Sequence, residues 1–150
     1  MQVKQVMTAS PTCCVAETPL QEVAKMMVEN DCGEIPVVDS NETKRPVGVV
    51  TDRDIVVRTL AQERNPLDLT ANDCMSSPCV TVTEEMSIDD CSRVMEENKI
   101  RRVPVVDKVG AVCGIVALAD LALRAKDSVA GDVVKEVSEP TTAASAAAGS

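Results

Sequence analysis

The feature that most constrains the fold of this sequence is an internal duplication. The run Ile-Pro-Val-Val-Asp at 35–39 returns as Val-Pro-Val-Val-Asp at 103–107. A glycine, two β-branched residues and a later aspartate recur in register at 48–54 and 114–120. The period of roughly 70 residues is too long for a solenoid unit, and a half of that size buries too little surface for a good core of its own. The sequence therefore predicts one small α/β unit that is used twice.

The spacing of apolar residues predicts the same β-α-β-β-α order in both halves. In the first half the predicted elements are a strand at 12–15, a helix that begins at Thr18 and Pro19 and ends at Gly33, strands at 35–39 and 47–50, and a helix at 52–62. In the second half they are a strand at 80–82, a helix capped by Ser87, strands at 103–107 and 111–116, and a helix at 118–125. The predicted fold class is α/β (α+β), with repeat 1 over 1–66, repeat 2 over 67–127, and a short helix at 132–137 within a flexible Ala/Ser/Thr tail over 128–150.

The first half contains the stretch Thr51-Asp52-Arg53-Asp54 at the predicted junction between a strand and a helix. The first turn of a helix offers unpaired N–H groups and the positive end of the helix dipole, which together bind anions. Thr51 and Asp54 are therefore candidates for holding a phosphate and sugar hydroxyls. The same spacing also fits a capping box, in which both side chains serve only the start of the helix.

Composition excludes several classes of protein. The formal net charge is −9 without a basic tract, whereas a nucleic-acid-binding protein is expected to have a basic face. No signal peptide is visible and no apolar run is long enough to span a membrane. The 7 cysteines include no C-x-x-C pair and histidine is absent, so we predict no metal site and free thiols in a reducing cytoplasm. Because Phe, Tyr and Trp are also absent, a bound base would have to lie between aliphatic side chains.

An enzyme would need a nucleophile or a general base with a positioned partner. The candidates are Cys-carboxylate chemistry and the paired acids Asp52 and Asp54, while the adjacent thiols of Cys13 and Cys14 are a separate candidate for redox sensitivity. No other group converges on either pair, and acids at a helix start are explained by the dipole. We therefore predict that the protein has no catalytic residues and is not an enzyme.

The duplicated order of elements, the I/V-P-V-V-D hairpin and the G-h-h-T-x-x-D junction resemble a tandem pair of cystathionine-β-synthase-type (CBS) domains, a Bateman module. The resemblance covers residues 3–125 and extends to the stand-alone bacterial proteins of this type. It implies two repeats packed about a pseudo-twofold axis, with adenosine-containing ligands bound in two clefts between them. It also implies a homodimer that senses AMP, ADP, ATP, NAD or S-adenosylmethionine and signals to an effector protein that the sequence does not identify. The alternative is a structural dimerisation module with vestigial clefts.

The resemblance also implies a role for individual residues. Thr51 would face a phosphate and Asp54 would hold the ribose hydroxyls, with Asp120 as its counterpart in the second cleft. The residues implied to line an adenine slot are Cys13, Cys14, Val15, Ile35 and Pro36. The residues implied to meet phosphates are Arg101 and Arg102, which precede the hairpin residue Pro104, with further positive charge from Arg53 and Lys99.

The sequence departs from the family pattern in the second repeat. Ala117 replaces the hydroxyl residue that matches Thr51, and repeat 1 has Gly33-Glu34 where repeat 2 has Arg101-Arg102. Phosphates of a ligand on Asp120 would therefore face an acid. We expect two unequal clefts, with tighter binding at Thr51 and Asp54.

Overall fold

The computed structural model describes residues 1–124, which form an α/β fold with two β-sheets. Its strands and helices are β1 (Thr8–Ala9), β2 (Cys14–Val15), α1 (Leu20–Asn30), β3 (Glu34–Val38), β4 (Pro46–Thr51), α2 (Asp52–Arg58), α3 (Ala71–Cys74), β5 (Val82–Thr83), α4 (Ile88–Asn98), β6 (Arg102–Val106), β7 (Val112–Ala117) and α5 (118–124). Short 3-10 turns occur at Val3–Gln5, Leu60–Gln62 and Pro66–Asp68. The predicted α/β class and the β-α-β-β-α order of both halves are confirmed.

Each repeat contributes one antiparallel hairpin and one parallel strand. The strand order is β2-β3-β4 in the first sheet and β1-β7-β6-β5 in the second. The hairpins have the same register, because Pro36 lies opposite Val49 in one and Pro104 lies opposite Ile115 in the other. β2 and β5 run parallel to β3 and β6, so α1 and α4 serve as the crossover connections that parallel strands require.

The segments that precede the two repeats are exchanged between them. The N-terminal segment joins the second repeat, where β1 pairs with β7 and Val3 is fully buried in the core. Reciprocally, α3 packs into the core of the first repeat, and Ser76 pairs with Val49 of β4. This exchange is what a pseudo-twofold relation between the repeats requires. The exchange also brings each of these preceding segments beside the strand-to-helix junction of the other repeat. The boundary between the repeats at 66/67 stays a prediction.

Two separate apolar clusters form the cores of the repeats. The first contains Leu20, Val23, Ile35, Val37 and Val50, and the second contains Val82, Cys91, Met95, Val103, Val105 and Val116. The buried helix positions recur at intervals of three or four residues, which is the spacing of one helix face. The chain has no aromatic residues, and sulfur-containing side chains such as Cys91 and Met95 contribute to the cores together with the aliphatic ones.

The start of α1 differs from the prediction. Pro19 occupies the N-cap, and Thr18 does not cap the helix. The Thr18 hydroxyl instead accepts a hydrogen bond of 3.0 Å from the backbone N–H of Val15. The first N–H of the helix, from Leu20, donates to the carbonyl of Leu69 at 2.9 Å. A backbone group of the exchanged segment therefore replaces the side-chain cap that the sequence suggested.

The ends of the first two helices also differ from the prediction. Asp31, not Gly33, takes the left-handed conformation that ends α1, with φ 48°. Gly33 leaves room for the exposed Asp52 side chain, because a Cβ there would lie 3.0 Å from its carboxylate and the side chain would have to shift. α2 ends at Arg58, where the Thr59 hydroxyl donates a 2.6 Å hydrogen bond to the carbonyl of Ile55. The predicted helix at 132–137 and the Ala/Ser/Thr tail lie outside the described residues.

Candidate functional site

A cavity of about 440 Å³ lies between the two repeats, beside Asp120. Its walls are the exchanged segment 8–12, the end of α1 with the start of β3, and the end of β7 with α5. We call it the Asp120 cleft. Its volume falls within the range of about 300–1,000 Å³ that is typical of small-molecule sites.

Asp120 has an open carboxylate within this cleft. Its Oδ2 atom accepts one long hydrogen bond of 3.4 Å, from the backbone N–H of Ala117. The methyl side chain of Ala117, which also lines the cleft, offers no hydroxyl to the helix start. Carboxylate oxygens of Asp120 are thus positioned to accept hydrogen bonds from a ligand.

The equivalent junction of the first repeat, which we call the Asp54 site, is closed by its own contacts. Thr51 and Asp54 form a complete capping box, with both backbone-to-side-chain hydrogen bonds at 3.0 Å. The Ser76 hydroxyl of the exchanged segment also donates to Asp54 Oδ1 at 3.3 Å, and Arg58 Nε lies 3.9 Å from the same oxygen. The capping interpretation of this pair is therefore present in the structure. A ligand at Asp54 would have to displace Ser76 or share the carboxylate with it.

Glu34 and Arg102 occupy equivalent positions at the starts of β3 and β6, and both line the Asp120 cleft. Burial raises the pKa of Glu34 to about 7, with the positive charge of Arg102 acting to lower it and the negative charge of Asp54 to raise it. Arg101, by contrast, is exposed. We expected both arginines to serve a ligand at Asp54, and this stays a prediction; of the two, Arg102 lines the Asp120 cleft.

Several residues expected to line the adenine slot are instead part of the first core. The side chains of Cys14 and Ile35 are 2% and 1% exposed, so they have almost no surface to offer a ligand. Val15 pairs with Val38 in the sheet, and Pro36 and Pro104 are buried in the strands β3 and β6. Cys14 of β2 and Ile35 of β3 both pack in the first core, and their role in an adenine slot stays a prediction. Cys13 is half-buried and Arg53 is exposed, and neither is part of the lining of the Asp120 cleft.

Sequence reasoning did not identify the part of the wall that comes from 8–12 and from the end of α1. Asn30 is one such residue, and its side chain accepts a 3.1 Å hydrogen bond from the hydroxyl of Thr12. A signal was present, because the Glu-Asn pair at 29–30 recurs at 97–98. The pairing of 8–12 with the second repeat had no signal, since that contact depends on the exchange of the lead-in segments.

The cysteines are all unpaired. Burial raises the pKa of Cys14 to about 12 and also raises that of Cys13, so both side chains remain thiols at neutral pH. This disfavours a reactive pair. Within residues 1–124, no cluster of three or more Cys, Asp and Glu is arranged to hold a metal ion, and no helix is long and apolar enough to cross a membrane.

Comparison with known proteins identifies a protein family whose model matches both halves of this chain. The model of the CBS domain matches residues 3–59 and again residues 71–127. The chain is 37% identical to the CBS domain-containing protein YhcV of Bacillus subtilis over 137 residues, covering 91% of this chain and 94% of YhcV. It is 38% identical over 118 residues to the uncharacterized protein MK0525 of Methanopyrus kandleri; that match covers 79% of this chain and spans 57% of MK0525.

Solved structures of similar fold include two with adenosyl ligands. The CBS domain pair of protein MJ0100, in complex with 5-methylthioadenosine and S-adenosyl-L-methionine, has a TM-score of 0.75 and 26% identity, covering 85% of this chain and 98% of that one. CBSX2 of Arabidopsis thaliana in complex with AMP has a TM-score of 0.71 and 26% identity, covering 85% of this chain and 97% of that one. Both of these structurally similar proteins therefore form complexes with adenosyl compounds.

Proposed function

The chain belongs to the CBS domain family, and from that premise we propose that it is a regulatory module that binds an adenosyl ligand in the Asp120 cleft. One observation carries the proposal: the cleft of about 440 Å³ between the repeats presents the Asp120 carboxylate, which within residues 1–124 accepts a single long hydrogen bond of 3.4 Å. Such a carboxylate suits the two hydroxyls of a ribose, because an ionised acceptor makes hydrogen bonds stronger than those of a neutral one. The ligands we propose are AMP, ADP, ATP, NAD or S-adenosylmethionine.

The Asp54 site is proposed as a second, weaker position. Thr51 and Asp54 would hold a ligand there after the Ser76 hydroxyl moves away from the carboxylate. Arg102 would contribute positive charge at this position as well, and Arg53 and Arg101 are exposed near the starts of α2 and β6. Binding at this position should therefore require a local rearrangement that the Asp120 cleft does not.

We further propose a cytoplasmic homodimer that has no catalytic activity and acts on an effector protein. Val56 and Leu60 support the dimer, because their side chains are 52% and 69% exposed on α2 and on the 3-10 turn after it. Large apolar side chains that lie close together at the surface are typical of a surface that pairs. The same residues favour the alternative, in which the protein is only a structural dimerisation module and the clefts are vestigial.

A thermal-shift panel separates the two functions. The protein is heated with AMP, ADP, ATP, NAD or S-adenosylmethionine, each at a concentration well above the expected dissociation constant. A ligand at 100 times its dissociation constant stabilises the folded state by about 2.7 kcal/mol, which is several degrees in melting temperature for a domain of this size. A shift with at least one compound supports the sensing module. No shift with any of them, in a protein that sediments as a dimer, supports the structural alternative.

A further inference from the structure

Glu34 is a buried acid at the wall of the Asp120 cleft whose carboxylate has an unused oxygen. The residue is 8% exposed, and its Oε2 atom is buried without a hydrogen-bond partner among the described residues. Leaving a buried polar atom unpaired costs free energy, and folded proteins rarely do so without a reason. The carboxyl group is therefore positioned to accept a hydrogen bond, or to meet a charge, from a molecule that enters the cleft.

The lining of the Asp120 cleft, to which Glu34 belongs, contains more acidic than basic side chains. Asp31, Glu34 and Asp120 line the cleft, whereas Arg102 is the basic residue of its lining in the described chain. Arg102 is near enough to lower the pKa of Glu34, but no ion pair joins the two side chains within residues 1–124. An anion that enters would add to this excess, and a cation would reduce it.

We propose that Glu34 makes the Asp120 cleft selective for adenosyl ligands that carry a positive charge or a hydrogen-bond donor on the 5′ carbon of the ribose, and that it disfavours ligands that carry a phosphate there. This inference rests on the proposed function, because it assumes that Asp120 holds the ribose. Glu34 and Asp120 line the same cavity of about 440 Å³, so a ribose held by Asp120 would carry its 5′ substituent into the space that the Glu34 carboxyl also lines. In a partly buried site, the Coulomb interaction is much stronger than in water.

The ionisation of Glu34 gives the selectivity a dependence on pH. Burial raises the pKa of Glu34 to about 7, and the charged or titratable groups that face it are Arg102, Asp54 and Cys79, with Asp31 and Asp120 elsewhere in the lining. A cationic ligand stabilises the ionised carboxylate, so its affinity should rise as the pH rises through 7. An anionic ligand favours the protonated form, so its affinity should fall over the same range.

The test uses three probes whose own charge is constant near neutral pH. They are 5′-methylthioadenosine, which is neutral, its S-methylated sulfonium derivative, which is a permanent cation, and adenosine 5′-sulfate, which is a permanent anion. Calorimetry should show the sulfonium binding at least about tenfold more tightly than the sulfate, a difference of roughly 1.4 kcal/mol. Asp120→Asn should weaken all three probes, which assigns the binding to this cleft.

Two variants isolate the contribution of Glu34. Glu34→Gln keeps the shape and removes the charge, so the preference of the cleft for the sulfonium over the sulfate should shrink about tenfold. Glu42→Gln makes the same chemical change at an exposed residue of the β3–β4 turn outside the lining, so it should leave the preference unchanged. In the unmodified protein, the preference for the sulfonium should grow between pH 6 and pH 8. This comparison does not depend on the folding of any variant.

The outcomes separate this inference from the proposed function. If the sulfate binds as well as the sulfonium, or if Glu34→Gln and Glu42→Gln have equal effects, the selectivity proposal is wrong although the cleft still binds adenosyl compounds. If none of the probes binds the unmodified protein, the proposed function fails and the selectivity proposal fails with it.

Discussion

The strand-to-helix junctions at 51–54 and 117–120 are built on the same plan, but among residues 1–124 their aspartates have different hydrogen-bond partners. At the first, the Asp54 carboxylate accepts hydrogen bonds from Thr51 and Ser76. At the second, Ala117 provides only a backbone N–H at 3.4 Å to Asp120. In the sequence, the Thr51 hydroxyl suggests that the first junction is the better ligand site. In the structure, this hydroxyl is one of the groups that complete the cap of α2. A fuller match to a binding motif can therefore describe the less available site.

The segments that precede the repeats also differ in which atoms they place against the glycines of β4 and β7. Substitution of these glycines should produce the largest effect on stability. A Cβ added at Gly48 would lie 2.7 Å from the carbonyl oxygen of Ser76, which is backbone and cannot move alone. A Cβ added at Gly114 would collide with the side chain of Met7, which can change its rotamer. Gly48→Ala should therefore lower the free energy of unfolding by roughly 2–3 kcal/mol, and Gly114→Ala by about 1 kcal/mol.

Urea denaturation followed by circular dichroism measures both values, since the chain has no Trp or Tyr for fluorescence. Equal losses would show that the two exchanged segments pack with the same rigidity.

The second prediction concerns Glu34, which lines the Asp120 cleft together with Arg102. Its pKa is raised from 4.5 to about 7 by burial, so the folded state holds the proton more tightly than the unfolded state does. The stabilisation by this proton is complete below pH 4.5 and is lost as the pH rises through 7. Between pH 5.5 and pH 8, the free energy of unfolding should fall by roughly 2 kcal/mol because of this one group.

Denaturation of Glu34→Gln over the same pH range is the control. The variant should lose most of this dependence on pH. A dependence as steep as that of the unmodified protein would place its origin elsewhere in the chain.

The smallest effect on stability is expected from substitutions at Thr51 and Ala117, the equivalent residues of the two junctions. Thr51→Ala removes the side-chain cap of α2 and should cost about 1 kcal/mol of stability. Ala117→Thr offers α5 the hydroxyl that it lacks and should add up to about 1 kcal/mol. Melting temperatures of the two single variants and of the double variant check this. A loss of stability in Ala117→Thr would mean that the cleft has no room for the added atoms.

The sequence predicted the elements that depend on local pattern. The hairpins β3–β4 and β6–β7 follow from short runs rich in β-branched residues, and Ser87 caps α4 as expected, accepting a 3.1 Å hydrogen bond from the N–H of Asp90. It did not predict the cap of α1, because the group that satisfies the N–H of Leu20 comes from Leu69, far along the chain.

The candidate site was predicted less completely than the fold. Asp120 was visible because it recurs in register with Asp54, and Arg102 and Glu34 were visible as a difference between the repeats; all three line the cleft. The wall at 8–12 was not predicted, because nothing in residues 2–7 indicates which sheet they join. Cys14 was assigned to the adenine slot from the family resemblance, and in the structure its side chain packs in the first core.

The most direct test of the central claim, that the Asp120 cleft is the available site, is a calorimetric titration of three proteins with one adenosyl ligand that binds the unmodified chain. Asp120→Asn keeps the shape of the carboxylate and removes its charge, so affinity should fall about ten- to a hundredfold, or roughly 1.5–3 kcal/mol. Asp54→Asn should leave the tight phase nearly unchanged, because its carboxylate is already occupied by Thr51, Ser76 and Arg58. If Asp54→Asn abolishes tight binding and Asp120→Asn spares it, the two sites have been assigned in the wrong order.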